Sequence, residues 1–383
     1  MKNLFLSILF YLGIVCWAAA QQAEISSLKL PPQDAKSVDE IAEFINEQYD
    51  SEADKIRAIY SWIGENIAYD IEKAAANLNA SNEKKAYDKE VNLTNTLRAR
   101  KGVCQDYSEL MEALCRKCGI KSYVVVGFVL RKGQENEEPH AWVVVQIDGA
   151  WKIYDPTWGA GYVNDNVFTK RLTFDYYEII PSESIVERMP YDPMWQLLEH
   201  PVAIPDFYAG IYKGDAAAAR FNFRDTIALH ESQDQITQYH NVLRRIESGG
   251  IYNQSTVDQV NFIRNEIEND KIERFNRAVA NYNEAVKQMN AYSHYFNTQF
   301  TPEKSRAVAE NMISAAEENI RSGIEQFRSI ENPSPAMQQE IGRLIKTMNE
   351  LSEKAKTAAT FVKKYYDTDV AERKELFYIR VPQ

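Results

Sequence analysis

The chain has 383 residues, 45% hydrophobic and 26% charged, which suits two domains with real cores and excludes a disordered polymer. Its formal net charge of −11 argues against nucleic acid or anionic lipid as the main partner.

The first twenty residues (1–20) read as a leader rather than as part of a fold. Lys2 supplies a positive start, Leu4 to Val15 is almost wholly apolar, and Ala18-Ala19-Ala20 offers a signal peptidase its small residues before Gln21-Gln22. The apolar run is too short for a good membrane span, and no other stretch is long enough for one. Cys16 follows bulky Val15, where a lipoprotein signal needs a small residue, so cleavage is favoured over a lipid anchor. The expectation is an exported protein, periplasmic or extracellular.

Ser37 to about Asp70 has helical period, with Ile41, Phe44, Ile45, Ile56, Ile59, Tyr60, Ile63 and Ile67 as its apolar positions. Polar Lys73 to Asn92 reads as a loop or a frayed helix. Val103, Tyr107, Leu110, Met111, Leu114 and Cys118 recur at spacings of three and four, an amphipathic helix that opens at Cys104 and stops at Gly119. The period then switches. Tyr123 to Leu130, Ala141 to Ile147 and Trp151 to Tyr154 are strand-like, and Asp148-Gly149 is a strong hairpin signal. Helices followed by an antiparallel meander define an α+β domain, placed at residues 21–210.

From 211 to 383 the pattern is helical throughout. Starts are expected at Ser255, at Thr301-Pro302-Glu303 and at Ser334-Pro335. Apolar sets such as Phe275, Val279, Tyr282, Val286 and Met289 imply long antiparallel helices packed as a bundle or helical hairpin. No metal or nucleotide motif occurs in this half.

Removal of the leader leaves Cys104, Cys115 and Cys118, an odd number. Cys104 and Cys115 stand roughly 16 Å apart along one helix, at 1.5 Å per residue, so an intact helix forbids a disulfide between them. Cys115 and Cys118 sit at the C-terminal end of the helix, where a redox C-x-x-C pair is not found, and read as buried small residues. Cys104 is different. A helix N-terminus favours a thiolate through its unpaired N–H groups and the positive end of its dipole.

A nucleophilic cysteine also needs a base. The first domain and its tail offer only His140 and His200. A two-residue turn at Asp148-Gly149 sets a register in which paired residue numbers sum to 297, so Trp142 faces Asp155 and His140 faces Thr157. Asp155 then shares a sheet face with His140, one diagonal step away, close enough for carboxylate and imidazole to meet. By residue type alone a chance grouping explains these three more often than function does; the helix start and the shared face bring the two readings level.

"GVCQDYSELMEALCRKCGI", "HAWVVVQIDGAW" and "YDPTWG" resemble three blocks of the transglutaminase-like superfamily, whose fold is papain-like. "YSWIGENIAYD" and "WQLL" resemble the branch containing kyphoscoliosis-type peptidases and cytokinesis-linked transglutaminase-like proteins. The resemblance covers roughly Ile41 to Tyr208. It implies Cys104 as nucleophile, His140 as general base and acid, Asp155 as orienting carboxylate, and Trp142 and Trp158 as cleft residues. Where that branch often carries a histidine, this chain has Arg188-Met189-Pro190, a departure expected to bear on substrate recognition rather than on chemistry. No side chain is assigned as oxyanion donor, which leaves the N–H of Cys104.

The implied reaction is acyl transfer from peptide or glutamine amides through a thioester. Water as acceptor makes a protease or amidase, a lysine amine makes a cross-link, and hydrolysis is favoured. This chemistry calls for no metal and no organic cofactor. Its partner is a protein or peptide substrate. The rival reading is a non-catalytic binding or scaffold protein that docks a protein partner through its helical domain.

Overall fold

A computed structural model describes residues 28–79, 88–131, 134, 136–217 and 219–378; the leader expected at residues 1–20, Cys16 included, lies outside them. The described chain divides into two compact units, one through Asn261 and one from Phe262.

The first unit opens with α1, Val38–Gln48, and α2, Glu52–Asn66. Ser37 and Ser51 cap them, each Oγ accepting the N–H three residues on at 3.1 Å. The helical stretch expected from Ser37 to Asp70 is therefore two helices, interrupted where Tyr49 leaves helical geometry and Ser51 starts afresh. A short strand β1, Ala68–Tyr69, leads to α3, Ile71–Asn79, and later to α4, Lys89–Ala99. Of the two readings of Lys73 to Asn92, loop or frayed helix, these helices bear out the helical one at both ends of the stretch. Their mostly polar sequence obscured them: α4 sends only Leu93 and Leu97 into the core, and Lys73 and Asn92 hold the pair to Asp106 through side-chain contacts.

Strand β2, Lys101–Gly102, pairs in parallel with β1 and feeds α5, Cys104–Lys117, which ends as expected at Gly119, with φ of 78°. The antiparallel sheet follows: β3, Ser122–Val129; β4, Glu138–Ile147; and β5, Ala150–Tyr154. Asp148 and Gly149 both have positive φ, 49° and 77°, as a tight hairpin turn requires. Val143 pairs with Tyr154 and Ile147 with Ala150, which is the register the turn predicts. After β5 come a single helical turn α6, Pro156–Ala160, and a separate hairpin of β6, Gly161–Asn164, and β7, Val167–Lys170. Strand β8, Arg188–Pro190, then returns to the far edge of the sheet, giving the order β5-β4-β3-β8.

Alternation along β4 sends its side chains to two cores. Val143, Val145 and Ile147 pack with α1, α2 and α5 through Ile45, Ile59, Leu110 and Leu114. Trp142 and Val144 face the other way, against Trp151, Met194, Trp195, Phe223 and Ile227. Phe223 and Ile227 belong to α7, Phe223–Glu231. The next helix, α8 (Gln235–Gly249), is tied to the unit by Arg245, which grips buried Asp192 at 2.6 Å. The expected boundary at 210/211 is thus corrected to 261/262: the first two helices after residue 210 cover the second face of the sheet.

The boundary at 261/262 falls within α9, Gln254–Asn297. The second unit continues with α10, Arg306–Arg328, and α11, Pro335–Asp367. Ala278, Ala285, Ile320, Phe327, Leu344 and Met348 form one stretch of its core, and an aromatic cluster around Phe300 and Tyr365 forms the other. Ser334 caps α11 as expected. α9 starts one residue before Ser255, with Asn253 Oδ1 accepting the Thr256 N–H at 2.8 Å. Ser305, not Thr301, caps α10. No helix of the described residues is long and apolar enough to cross a membrane.

Candidate active site

Cys104 is the first residue of α5, so its N–H has no acceptor within the helix. Val103, in the cap position, has no side chain able to bond the first turn. Asp106 reaches back instead, its Oδ2 accepting the Val103 N–H at 2.7 Å. That carboxylate is buried, and it is held by Lys73 Nζ at 2.7 Å and by Asn92 Nδ2 at 2.8 Å. Both partners come from α3 and α4. The pairing of Tyr69 with Gly102, and the 2.8 Å bond from the Tyr107 hydroxyl to the Ile67 carbonyl, fix the approach to the helix. The position of the thiol is therefore set from several sides.

His140 lies on β4 opposite Gly127, and it is buried. Its Nε2 bonds Asp155 Oδ2 at 2.8 Å, and it shares the wall of one cleft with Cys104. Trp158 stacks on the imidazole, with ring centroids 4.9 Å apart. Burial alone lowers the imidazole pKa, but the charge and hydrogen bond of Asp155, helped by Cys104, outweigh it and raise the pKa to about 9.

Asp155 closes the group. It is fully buried, just beyond the end of β5, and it caps α6 by accepting the Trp158 N–H on Oδ1 at 3.1 Å. Burial works against its charge; His140 and Arg188 prevail and hold its pKa at about 2. Arg188 on β8 donates to the same oxygen as His140, Oδ2, from Nη2 at 3.0 Å and from Nε at 3.3 Å.

The structure thus brings together Cys104, His140 and Asp155. Cys104 and His140 open on a cleft of about 570 Å³, lined also by Tyr69, Glu138, Trp158 and Tyr176. Trp158 lies in that cleft as expected. Trp142 does not: only 1% exposed, it lies on the same strand face as His140 but two residues further along β4, where it packs in the second core with Trp151 and Met194. His200 takes no part in the cleft. Cys104, Cys115 and Cys118 are all free thiols, and burial pushes the pKa of both Cys115 and Cys118 up.

Arg188 corrects a second expectation. It is buried against Asp155 and over the ring of Trp158, 4.2 Å from the centroid, so it faces the three-residue group rather than a substrate. The sequence held no local signal for this contact, which depends on a three-residue edge strand. Asp106 was more accessible: an acidic residue three places after the cap position is half of a capping-box pattern.

Residues 39–156 match the model of the transglutaminase-like superfamily, a stretch that begins in α1 and ends just past Asp155. This part of the chain is a transglutaminase-like domain, and its helix-borne cysteine and antiparallel sheet form the papain-like core expected. The chain is similar to human kyphoscoliosis peptidase (Homo sapiens), 32% identical over 203 residues, covering 50% of this chain and 29% of that protein. Similarity to the mouse protein of the same name (Mus musculus) is 31% over 185 residues, covering 46% and 26%. The chain thus spans less than a third of the length of these curated relatives. A solved structure described as a TGase aligns with a TM-score of 0.26 and 20% identity, covering 43% of this chain and 42% of that one.

Proposed function

We propose that the first unit is a cysteine acyl-transfer enzyme acting on protein or peptide amides, with Cys104 as nucleophile, His140 as base and acid, and Asp155 as the carboxylate that orients it. The single observation that carries this reading is the His140 ring, bonded to a buried carboxylate at 2.8 Å and sharing a cleft with a thiol at a helix start.

Each role follows from position. The Cys104 thiolate attacks the amide carbonyl, and the oxyanion meets the N–H of Cys104 at the positive end of α5. His140, charged at neutral pH, gives its proton to the departing amine as the C–N bond breaks, leaving a thioester on Cys104. Neutral His140 then takes a proton from water as it adds to the thioester. The tetrahedral adduct expels the thiolate, the acid leaves, and the imidazolium–thiolate pair returns. Asp155 steadies each imidazolium without accepting its proton.

Hydrolysis is the favoured outcome, because water is an acceptor present wherever the protein acts. The chain is further proposed to act outside the cytoplasm, on the strength of its first twenty residues (1–20) alone. Incubation with a casein or peptide-library substrate, with and without a labelled primary amine, tests the reaction. New peptide termini, or glutamate formed from glutamine, that vanish in Cys104→Ala support hydrolysis. Amine incorporation without cleavage replaces it by cross-linking, and no product of either kind from folded protein across a broad library contradicts acyl transfer.

A further inference from the structure

Asp155 has only two carboxylate oxygens, and the structure shows how both are used. Oδ1 caps α6 through the Trp158 N–H, which leaves Oδ2 for His140. Arg188 binds that same Oδ2 with two N–H groups, at 3.0 and 3.3 Å. Its side chain is 3% exposed, and its other acidic neighbour, Glu187, is 3.7 Å away and 40% exposed. A buried guanidinium is costly unless matched by charge and hydrogen bonds, so its main counterion is the carboxylate that serves His140. The guanidinium also lies over Trp158, whose ring stacks on His140, so one side chain touches both supports of the imidazole.

We propose that Arg188 is a positioning residue of the acyl-transfer site: from the edge strand β8 it keeps Asp155 ionised and keeps Oδ2 aimed at His140, so that the imidazole stays turned to Cys104. This rests on the reading of Cys104 as nucleophile. The groups facing Asp155 are His140 from β4, Arg188 from β8, the N–H of Trp158 from α6, Tyr60 from α2 and Tyr176; those facing His140 are Asp155, Cys104 and the rings of Trp142 and Trp158, and Arg131 lies over the Trp158 ring as well. Arg188 is the permanent cation hydrogen-bonded to Asp155. Without it a fully buried carboxyl takes up a proton at higher pH and releases the imidazole.

The test uses full-length protein and the pH profile of Cys104 alkylation by iodoacetamide, with folding checked by circular dichroism. Arg188→Met is expected to slow alkylation at neutral pH roughly tenfold, the lower range for outer-shell partners of a reactive site. Its acid limb moves to higher pH by about one unit, for loss of a nearby opposite charge. Arg188→Lys restores part of the rate and most of the acid limb, since the charge returns without the second N–H. Arg188→Gln keeps a donor to Oδ2 but no charge and shows the same shift of the limb, so a folding defect in the methionine variant does not decide the matter. Folded Arg188→Met or Arg188→Gln with the wild-type rate and an unmoved limb overturns the proposal. A slow variant that lysine fails to improve also overturns it. These readings need no amide substrate, so failure of wild-type protein to turn over any amide would sink acyl transfer while leaving the placement of Asp155 by Arg188 separately judged.

Discussion

His140 and Asp155 hold each other charged, and the consequence for stability has a definite sign. The imidazole pKa is raised from its ordinary ~6.5 to about 9 in the folded chain, so its contribution is fully present below ~6.5 and is lost as pH rises through about 9. The carboxyl pKa is lowered to about 2, so its contribution is present above ~3.9 and is lost as pH falls through about 2. Asp155→Asn removes the partner of His140 and of Arg188 together, and a cost of about 3–5 kcal/mol is expected near neutral pH, as for other broken buried pairs. Chemical denaturation of both proteins from pH 6 to pH 10 checks this: the gap should narrow as pH passes 9, and a gap that widens there would contradict the assignment. The meeting of His140 with Asp155 was legible because Asp148-Gly149 fixes a register and so a shared face. Arg188 was not, because nothing within a few residues of it says which strand it joins.

Among the elements, β8 depends on a glycine opposite it. Gly127 pairs with His140 on one side and with Pro190 on the other, and a Cβ there would collide with the Met189 carbonyl and the Trp142 ring. Gly127→Ala is therefore expected to push β8 outward and cost about 1–3 kcal/mol, the usual scale of overpacking. Hydrogen exchange at Tyr191, whose N–H bonds the Val126 carbonyl at 3.1 Å, should accelerate with it. Unchanged exchange would show that the strand tolerates the methyl. At the start of α5, Asp106→Ala strips the cap and leaves Lys73 without its carboxylate; thermal unfolding should report a loss of at least about 1–2 kcal/mol, the range for a lost helix cap. A wild-type melting curve would mean the capping contact adds nothing. Strands and α5 were readable because apolar period and turn residues mark them. α3 and α4 were less so, because only Leu93 and Leu97 of α4 reach the core and the rest of their anchoring is Lys73 and Asn92 meeting a buried carboxylate that lies distant in sequence.

For the whole molecule, helical period identifies helices but not the surface each one covers, which is why α7 and α8 read as part of the second half while they belong to the first unit. A fragment ending at residue 210 would bare Val144, Trp151 and Trp195, which Phe223 and Ile227 cover in the intact chain. It should aggregate or melt well below a fragment ending at 261, and equal melting temperatures would argue that the shorter boundary is sound. The central claim, a cysteine at a helix start activated by His140, is tested most directly in the full-length protein. Iodoacetamide is added at neutral pH and the modified residue located by mass spectrometry, in wild type and in His140→Ala. The account predicts that Cys104 reacts first, that buried Cys115 and Cys118 stay unmodified, and that His140→Ala slows Cys104 by tenfold or more, the scale of a lost general base. Cys104 labelling no faster than free cysteine in the same buffer, and indifferent to the loss of His140, would contradict it.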